Sequence, residues 1–361
     1  MNHNRLYLNN SISDANTAVL IEDLRKSYGK VIAVDSVSLQ VKSGEIFGLL
    51  GPNGAGKTTT LRCLCTLAKP DTGRIEIAGI NVLDNPRGAR QYLGYVAQEV
   101  ALDKMLTGRE LMELQAAIYH LPKRAIADRI TSLLSRLGLT EWADRLIGTY
   151  SGGLKKRLDL ATGLLHQPSV LVLDEPTAGL DIESRTVTWA VLRQLQQQGM
   201  TIVITSHYLE EIDALADRVA ILDRGRVIAL GTPDELKQQV GGDRITLRLR
   251  EFTPLEEAER ARNLLLNLPQ VRSVIVNAAQ GNSLNLVADA APKTQGTVML
   301  SIQQSLQAEG FPIFAIAQSR PSLDDVYLAA TGQTLLDAEL AALSQRDPQA
   351  ERKQALKSGQ R

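Results

Sequence analysis

Short apolar runs separated by helical patterns fill the first two thirds of the chain. The runs Glu45–Leu50, Val170–Leu173 and Thr201–Thr205 are short and rich in aliphatic residues, which predicts buried strands, the last two in a parallel sheet. Val19–Val41 mixes apolar and charged positions and predicts an antiparallel edge sheet. Thr107–Gly138 has helical periodicity and few β-branched residues. The pattern therefore predicts an α/β fold with a parallel core sheet, an antiparallel edge sheet and a helical insertion.

The pattern changes after Gly241-Gly242. Strand and helix patterns then follow the order βαββαβ, which predicts a small α+β domain of the ferredoxin-like kind. We expect a disordered N-terminal extension over 1–17 and a main domain over 18–240 with its helical insertion at about 99–160. An accessory domain over 241–332 and a charged tail over 333–361 complete the prediction.

Composition narrows the function classes. The 361 residues carry 40 basic and 40 acidic side chains, so no net charge favours binding to nucleic acid. The two cysteines, Cys63 and Cys65, are too few for a disulfide framework or a zinc site. No run reaches the ~18–20 apolar residues that a membrane-spanning helix needs. We therefore expect a soluble or peripheral protein, and any transport path must come from another chain.

A phosphate-binding loop follows the first buried strand. Residues Gly51 to Thr58 fit the pattern G-x-x-x-x-G-K-[ST], and a helix pattern follows them. Glycines let the backbone amides surround phosphate oxygens, the lysine reaches the β- and γ-phosphates, and the threonine hydroxyl serves Mg²⁺. The predicted nucleotide-binding residues here are Gly51, Pro52, Asn53, Gly54, Ala55, Gly56, Lys57, Thr58 and Thr59.

Two carboxylates end the second buried strand. Asp174 lies at the carboxyl end of that strand, where it can hold Mg²⁺ beside the phosphate loop. Glu175 points elsewhere and can accept a proton from the attacking water. Further upstream, Ser151-Gly152-Gly153 opens a helix and offers a second place for an anion. A guanine-reading Asn-Lys-x-Asp segment is absent from the sequence, so a GTPase is disfavoured.

These motifs, in this order, resemble the ABC ATPase family from Val19 to about Leu236. The segment Tyr150–Leu154 is similar to its signature, Gln98 to the Q-loop glutamine and Ala178–Asp181 to the D-loop. Thr205-Ser206-His207 is similar to the switch histidine segment, and Tyr28 occupies the position of the aromatic residue that stacks on adenine.

The resemblance implies an ATPase whose two nucleotide domains close head to tail around two ATP molecules. Each ATP would lie between Lys57 of one domain and Ser151-Gly152-Gly153 of the other. Glu175 would be the general base and His207 would bind the γ-phosphate. Asp181 would contact the partner domain, and Gln98 would sense Mg²⁺ and the γ-phosphate. The metal set implied is Thr58, Gln98 and Asp174.

Tyr150–Ala161, Thr205–Glu211 and Ser322–Leu328 resemble exporter ATPases of the daunorubicin-resistance type. Leu154 replaces the glutamine that most of the family has there, but an apolar residue is ordinary in that subfamily. The resemblance implies a peripheral protein at the cytoplasmic face of the membrane, bound to a multi-span permease and dimerised with itself or a related ATPase subunit. Two alternatives remain, a non-transport ABC ATPase acting on ribosomes or DNA and a regulatory module with a decayed ATPase.

Overall fold

The computed structural model describes residues 16–288 and 295–344. Most of the predicted N-terminal extension and the end of the predicted tail lie outside these residues. The chain forms two compact units. Among the described residues, one contains 16–50, 56–220 and 224–227, and the other contains 51–55, 221–223, 228–288 and 295–344.

The elements up to residue 231 form the α/β part of the fold. Their bounds are β1 Thr17–Tyr28, β2 Val31–Lys42, β3 Ile46–Leu50, α1 Lys57–Leu64, β4 Thr72–Ile77, β5 Ile80–Asn81, α2 Pro86–Gln91, β6 Leu93–Val96, α3 Gly108–Ile118, α4 Lys123–Arg136, α5 Gly152–Leu164, β7 Val170–Asp174, α6 Ile182–Gln197, β8 Thr201–Ser206, α7 Leu209–Leu215, β9 Arg218–Asp223 and β10 Arg226–Gly231.

Two sheets carry this part, as the sequence predicts. The edge sheet has the order β2-β1-β4-β5 with antiparallel pairing, and the core sheet has the order β10-β9-β3-β8-β7-β6. Strands β3, β8, β7 and β6 are parallel. Every residue of β3, β7 and β8 is buried, which explains their continuous apolar sequences. The carboxyl ends of these strands meet at one edge, where ligands bind in open parallel sheets.

The helical insertion contains a break that the periodicity does not predict. The long helical pattern over Thr107–Gly138 forms two helices, α3 and α4, and Pro122 lies at the N-cap of the second. Proline has no amide hydrogen and disfavours a helical residue before it, so the helix ends and restarts here. Thr107 and Glu110 form a reciprocal capping box at the start of α3.

The second unit has a ferredoxin-like sheet. Strand order β12-β13-β11-β14 with antiparallel pairing confirms the predicted ferredoxin-like fold. Helix α12 begins at Leu335, inside the segment predicted as a charged tail, and it buries Leu335 and Ala338. Its elements are α8 Pro233–Val240, β11 Asp243–Arg248, α9 Leu255–Leu266, β12 Val271–Asn277, β13 Ser283–Ala288, α10 Gln295–Ala308, β14 Ala315–Ser319, α11 Leu323–Thr331 and α12 Leu335–Ser344.

Candidate nucleotide-binding site

The phosphate loop connects β3 to α1, and Lys57 is the first residue of that helix. Gly56 caps the helix with φ +102°, a conformation that only glycine adopts readily. A Cβ atom at this position would lie 2.5 Å from the carbonyl oxygen of Ala33, so the loop packs against β2 without room for a side chain. Lys57 is buried. The first-turn amides of α1 and the ammonium of Lys57 therefore converge where phosphate would bind.

Asp174 ends β7 beside this helix. Its Oδ1 accepts hydrogen bonds from the hydroxyl of Thr58 at 3.2 Å and from the hydroxyl of Thr205 at 2.6 Å. A carboxylate and a hydroxyl side by side are the hard oxygen donors that Mg²⁺ prefers, so this pair fits a magnesium ion completed by phosphate oxygens and water. Residues 16–288 and 295–344 contain no group of three or more His, Cys, Asp or Glu side chains arranged for a metal.

Three of the predicted residues, Lys57, Gln98 and His207, surround the Glu175 carboxylate. Its Oε2 accepts a hydrogen bond from Gln98 Nε2 at 3.0 Å and lies 3.2 Å from His207 Nδ1, while its Oε1 lies 4.0 Å from Lys57 Nζ. The main-chain amide of Glu175 donates to the Thr205 hydroxyl at 3.0 Å. Glu175 has φ +49°, an uncommon conformation for a residue with a side chain, and such strain often marks functional positions.

The Glu175 carboxyl stays ionised at neutral pH. Burial acts to raise its pKa, but the adjacent His207 and the positive charges of Lys57 and Lys156 outweigh burial and hold the pKa below its ordinary value. Glu175 is therefore available to accept a proton. Gln98 donates to this base through its amide nitrogen rather than lying between Thr58 and Asp174, so its predicted role in metal binding stays a prediction.

The starts of α5 and α6 form one exposed surface. Ser151 caps α5 and accepts from the Leu154 amide at 3.3 Å, while Asp181 caps α6 and accepts from the Ser184 amide at 2.7 Å. A Cβ on Gly153 would lie 2.7 Å from Ser184 Oγ, so the two helix starts are in contact. Ile182 on this surface is 82% exposed. Ser151 and Gly152 are exposed too, so the start of α5 is accessible from solvent.

The structure shows the surroundings of Leu154, which replaces the usual glutamine, and of Tyr28, which is predicted to stack on adenine. Leu154 is buried, which explains why an apolar side chain is tolerated where a polar one is usual. Tyr28 ends β1 in the hairpin with β2, and its ring is 48% exposed. Because β2 also contacts Gly56 through Ala33, this hairpin lies against the phosphate loop. An exposed aromatic ring there has a free face on which a base can stack.

Two segments of the chain match known protein families. The family described as ABC transporter matches residues 34–178, and the family of DrrA1-3-like C-terminal domains of ATP-binding proteins matches residues 231–331. The chain is 42% identical to the daunorubicin resistance ATP-binding protein DrrA2 of Streptomyces coeruleorubidus, over 89% of this chain and 97% of that protein. This chain belongs to the ATP-binding proteins of ABC transporters.

Two further comparisons agree with this assignment. The chain is 35% identical to Nod factor export ATP-binding protein I of Ralstonia nicotianae, over 88% of this chain and 94% of that protein. It is also similar to a dimeric ATP-binding cassette, MJ0796, in a post-hydrolysis state with ADP and Pi. That match has a TM-score of 0.55 and 27% identity, over 59% of this chain and 98% of the other. The ABC ATPase fold and an ATP-hydrolysing activity follow for this chain.

The sequence does not predict one hydrogen-bonding group of this ABC ATPase, which is centred on the buried Glu211. Glu211 in α7 is fully buried, and its Oε1 accepts from the Thr177 hydroxyl at 2.7 Å and from Trp189 Nε1 at 3.0 Å. Trp189 thus has a polar contact as well as a packing role. Thr177 lies in the loop after Glu175, and Glu211 lies in the helix after His207. Their hydrogen bond therefore links the segment that follows Glu175 to the segment that follows His207. The only sequence signal was the subfamily resemblance of Thr205–Glu211.

Proposed function

We propose that this ABC ATPase powers export by a separate membrane-spanning subunit, closing head to tail with a second ATPase subunit around two MgATP. The observation that carries the proposal is the cluster in which Lys57, Gln98 and His207 surround the Glu175 carboxylate. A carboxylate that is held ionised beside a phosphate loop is suited to accept a proton from water attacking the γ-phosphate.

Each residue of the site has a separate task in this proposal. Lys57 binds the β- and γ-phosphates, and Tyr28 stacks on the adenine. Thr58 and Asp174 would hold Mg²⁺, which neutralises charge that develops on the phosphates. Glu175 takes the proton from water, and His207 holds the γ-phosphate in line with it. Gln98 keeps the Glu175 carboxylate in place through its 3.0 Å hydrogen bond.

A second subunit supplies the rest of the site. Ser151 and Gly152 are exposed next to Asp181 and the exposed Ile182, which suits them for contact with a partner subunit. Across a head-to-tail dimer, their amides and hydroxyl would complete the donors around the γ-phosphate, which strengthens transition-state binding. Closure is then required for hydrolysis, so ATP turnover is coupled to motion. The second subunit is another copy of this chain or a related ATPase.

Transport requires a partner in the membrane. None of the helices in residues 16–288 and 295–344 is long and apolar enough to cross a bilayer. The helical insertion exposes large apolar side chains, among them Met105, which is 80% exposed, Leu114, Ile118 and Leu146. Such a surface suits the docking of a helix from a membrane subunit at the cytoplasmic face. Relatives named for daunorubicin resistance and Nod factor export support the outward direction.

Trapping a closed dimer tests the proposal. Glu175→Gln keeps the shape of the side chain but loses the base, so we expect ATP binding without turnover and an MgATP-dependent dimer in light scattering. The matched control is Lys57→Ala with Glu175→Gln, which should stay monomeric because it lacks the phosphate contact. Wild-type turnover by Glu175→Gln would remove Glu175 from the role of base, and a dimer that ignores MgATP would contradict closure around the nucleotide.

A further inference from the structure

Lys156 is a buried lysine whose charge helps to hold the pKa of Glu175 low, but whose hydrogen bond has no role in the proposed mechanism. It lies in α5, only 8% of its surface is exposed, and its Nζ donates a 2.6 Å hydrogen bond to the main-chain carbonyl of Gln98. A lysine is rarely buried so completely unless its charge has a partner, and this contact is a charge-assisted hydrogen bond. The bond spans 58 positions of sequence and joins α5 to the segment after β6.

The contact leads directly to the catalytic cluster. The side chain of the same Gln98 donates to Glu175 Oε2 at 3.0 Å. Lys156 therefore holds the main chain of a residue whose side chain holds the base. The helix that carries Lys156 also begins at the exposed Ser151 cap.

The lysine stem and the lysine charge have separable functions. Lys156 borders a void of about 10 Å³ together with Val96 and Leu173, near the ends of β6 and β7. A methionine has nearly the same length and can fill this apolar space, but it cannot donate a hydrogen bond. Packing alone would therefore be satisfied by an apolar residue, whereas the contact to Gln98 requires the ammonium group.

We propose that Lys156 is a positioning residue that fixes the Gln98 main chain on α5, so that Gln98 holds Glu175 in its catalytic orientation. The inference rests on the proposed role of Glu175. Helix α5, which would present Ser151 to the ATP bound by the partner subunit, is thereby connected to Glu175 of its own subunit. Movement of α5 during closure would then reach Glu175 through two hydrogen bonds.

Steady-state ATP hydrolysis by the full-length chain tests this role. Lys156→Met should lower kcat roughly tenfold, the effect of losing about 1.4 kcal/mol from a hydrogen bond to a charged group. KM for ATP should stay within about twofold, because the phosphate and adenine contacts are untouched. Lys156→Arg keeps a charged donor and should restore most of kcat. Lys155→Met removes a charge from the same helix at a half-exposed position and should not reproduce the loss.

A double-mutant cycle separates positioning from packing. Gln98→Ala keeps the carbonyl that Lys156 binds but removes the side chain that contacts Glu175. If Lys156 acts through Gln98, adding Lys156→Met to Gln98→Ala lowers kcat little further. Independent, multiplicative losses would overturn the inference, as would unchanged kcat in Lys156→Met. If the methionine variant does not fold, Lys156→Leu repeats the test. Wild-type turnover by Glu175→Gln would instead overturn the proposed role of Glu175, which distinguishes the two failures.

Discussion

Removing the buried Glu211 carboxyl should destabilise the ATPase unit measurably. The carboxyl joins two helices and a loop, because it lies in α7 and accepts hydrogen bonds from Trp189 in α6 and from Thr177 in the loop after β7. Thr177 is fully buried, where water does not replace a lost partner, whereas Trp189 is half-buried. Glu211→Ala would leave the Thr177 hydroxyl and the Trp189 indole without their acceptor.

The magnitude follows from the two donors. A buried donor left unsatisfied costs about 1–3 kcal/mol, so the buried Thr177 hydroxyl and the half-buried Trp189 indole together cost at most about 2–6 kcal/mol. Part of that cost is offset because a buried carboxyl group, itself costly to remove from water, disappears in the variant. In the described part of the chain, Glu211 Oε2 has no hydrogen-bond partner, which adds to this offset. A net loss of about 3 kcal/mol in the free energy of unfolding is expected.

Urea unfolding of matched variants measures this loss. Glu211→Gln retains an acceptor oxygen for both donors and should lose only about 1 kcal/mol. Thr177→Val removes one donor at nearly constant volume and should fall between Glu211→Gln and Glu211→Ala. An alanine variant as stable as the wild type would refute the reasoning, since it would mean that both donors find other acceptors.

Three further outcomes are expected. Gly56→Ala should weaken ATP binding at least tenfold in a fluorescent-nucleotide titration, because its Cβ would meet the Ala33 carbonyl at 2.5 Å; unchanged affinity would contradict this. Tyr28→Ala should weaken ATP binding by about 1 kcal/mol while Tyr28→Trp preserves it, and equal losses would exclude stacking. Burial raises the pKa of Asp159 in α5 to about 6. The stability that the protonated, neutral carboxyl contributes is therefore lost as pH rises through 6. Asp159→Asn should therefore gain up to about 3 kcal/mol over the wild type between pH 4 and pH 8, and a pH-independent difference in unfolding free energy would contradict the shift.

The sequence predicts those parts of the site that depend on strand ends. Lys57 and Glu175 each come after a short, fully buried strand, and parallel strands bring their carboxyl ends to one edge. That rule places the phosphate loop and Asp174 at the same edge of the sheet, and in the structure the Thr58 hydroxyl lies 3.2 Å from Asp174 Oδ1 there. The ferredoxin-like sheet is predictable for a similar reason, because the order of strand and helix patterns permits few topologies.

Contacts between distant side chains were not predictable in this way. Lys156 and Gln98 are 58 positions apart, and only the packing of α5 against the core brings them together. The partners of Glu211 likewise lie on separate elements, and a glutamate in a helical pattern usually faces solvent. Helix α12 was missed because the charged end of the predicted tail was extended back to 333, whereas Leu335–Ser344 is mostly leucine and alanine and buries Leu335 and Ala338.

The central claim is that this chain drives a separate membrane subunit with ATP. The most direct measurement is purification of tagged Glu175→Gln from membranes of the source organism, with and without MgATP, followed by mass spectrometry of what remains bound. The account predicts a stoichiometric multi-span membrane protein whose binding is lost when the exposed Met105 is replaced by aspartate. Recovery of ribosomal or DNA-repair proteins without any membrane protein would contradict it and leave only the ATPase activity.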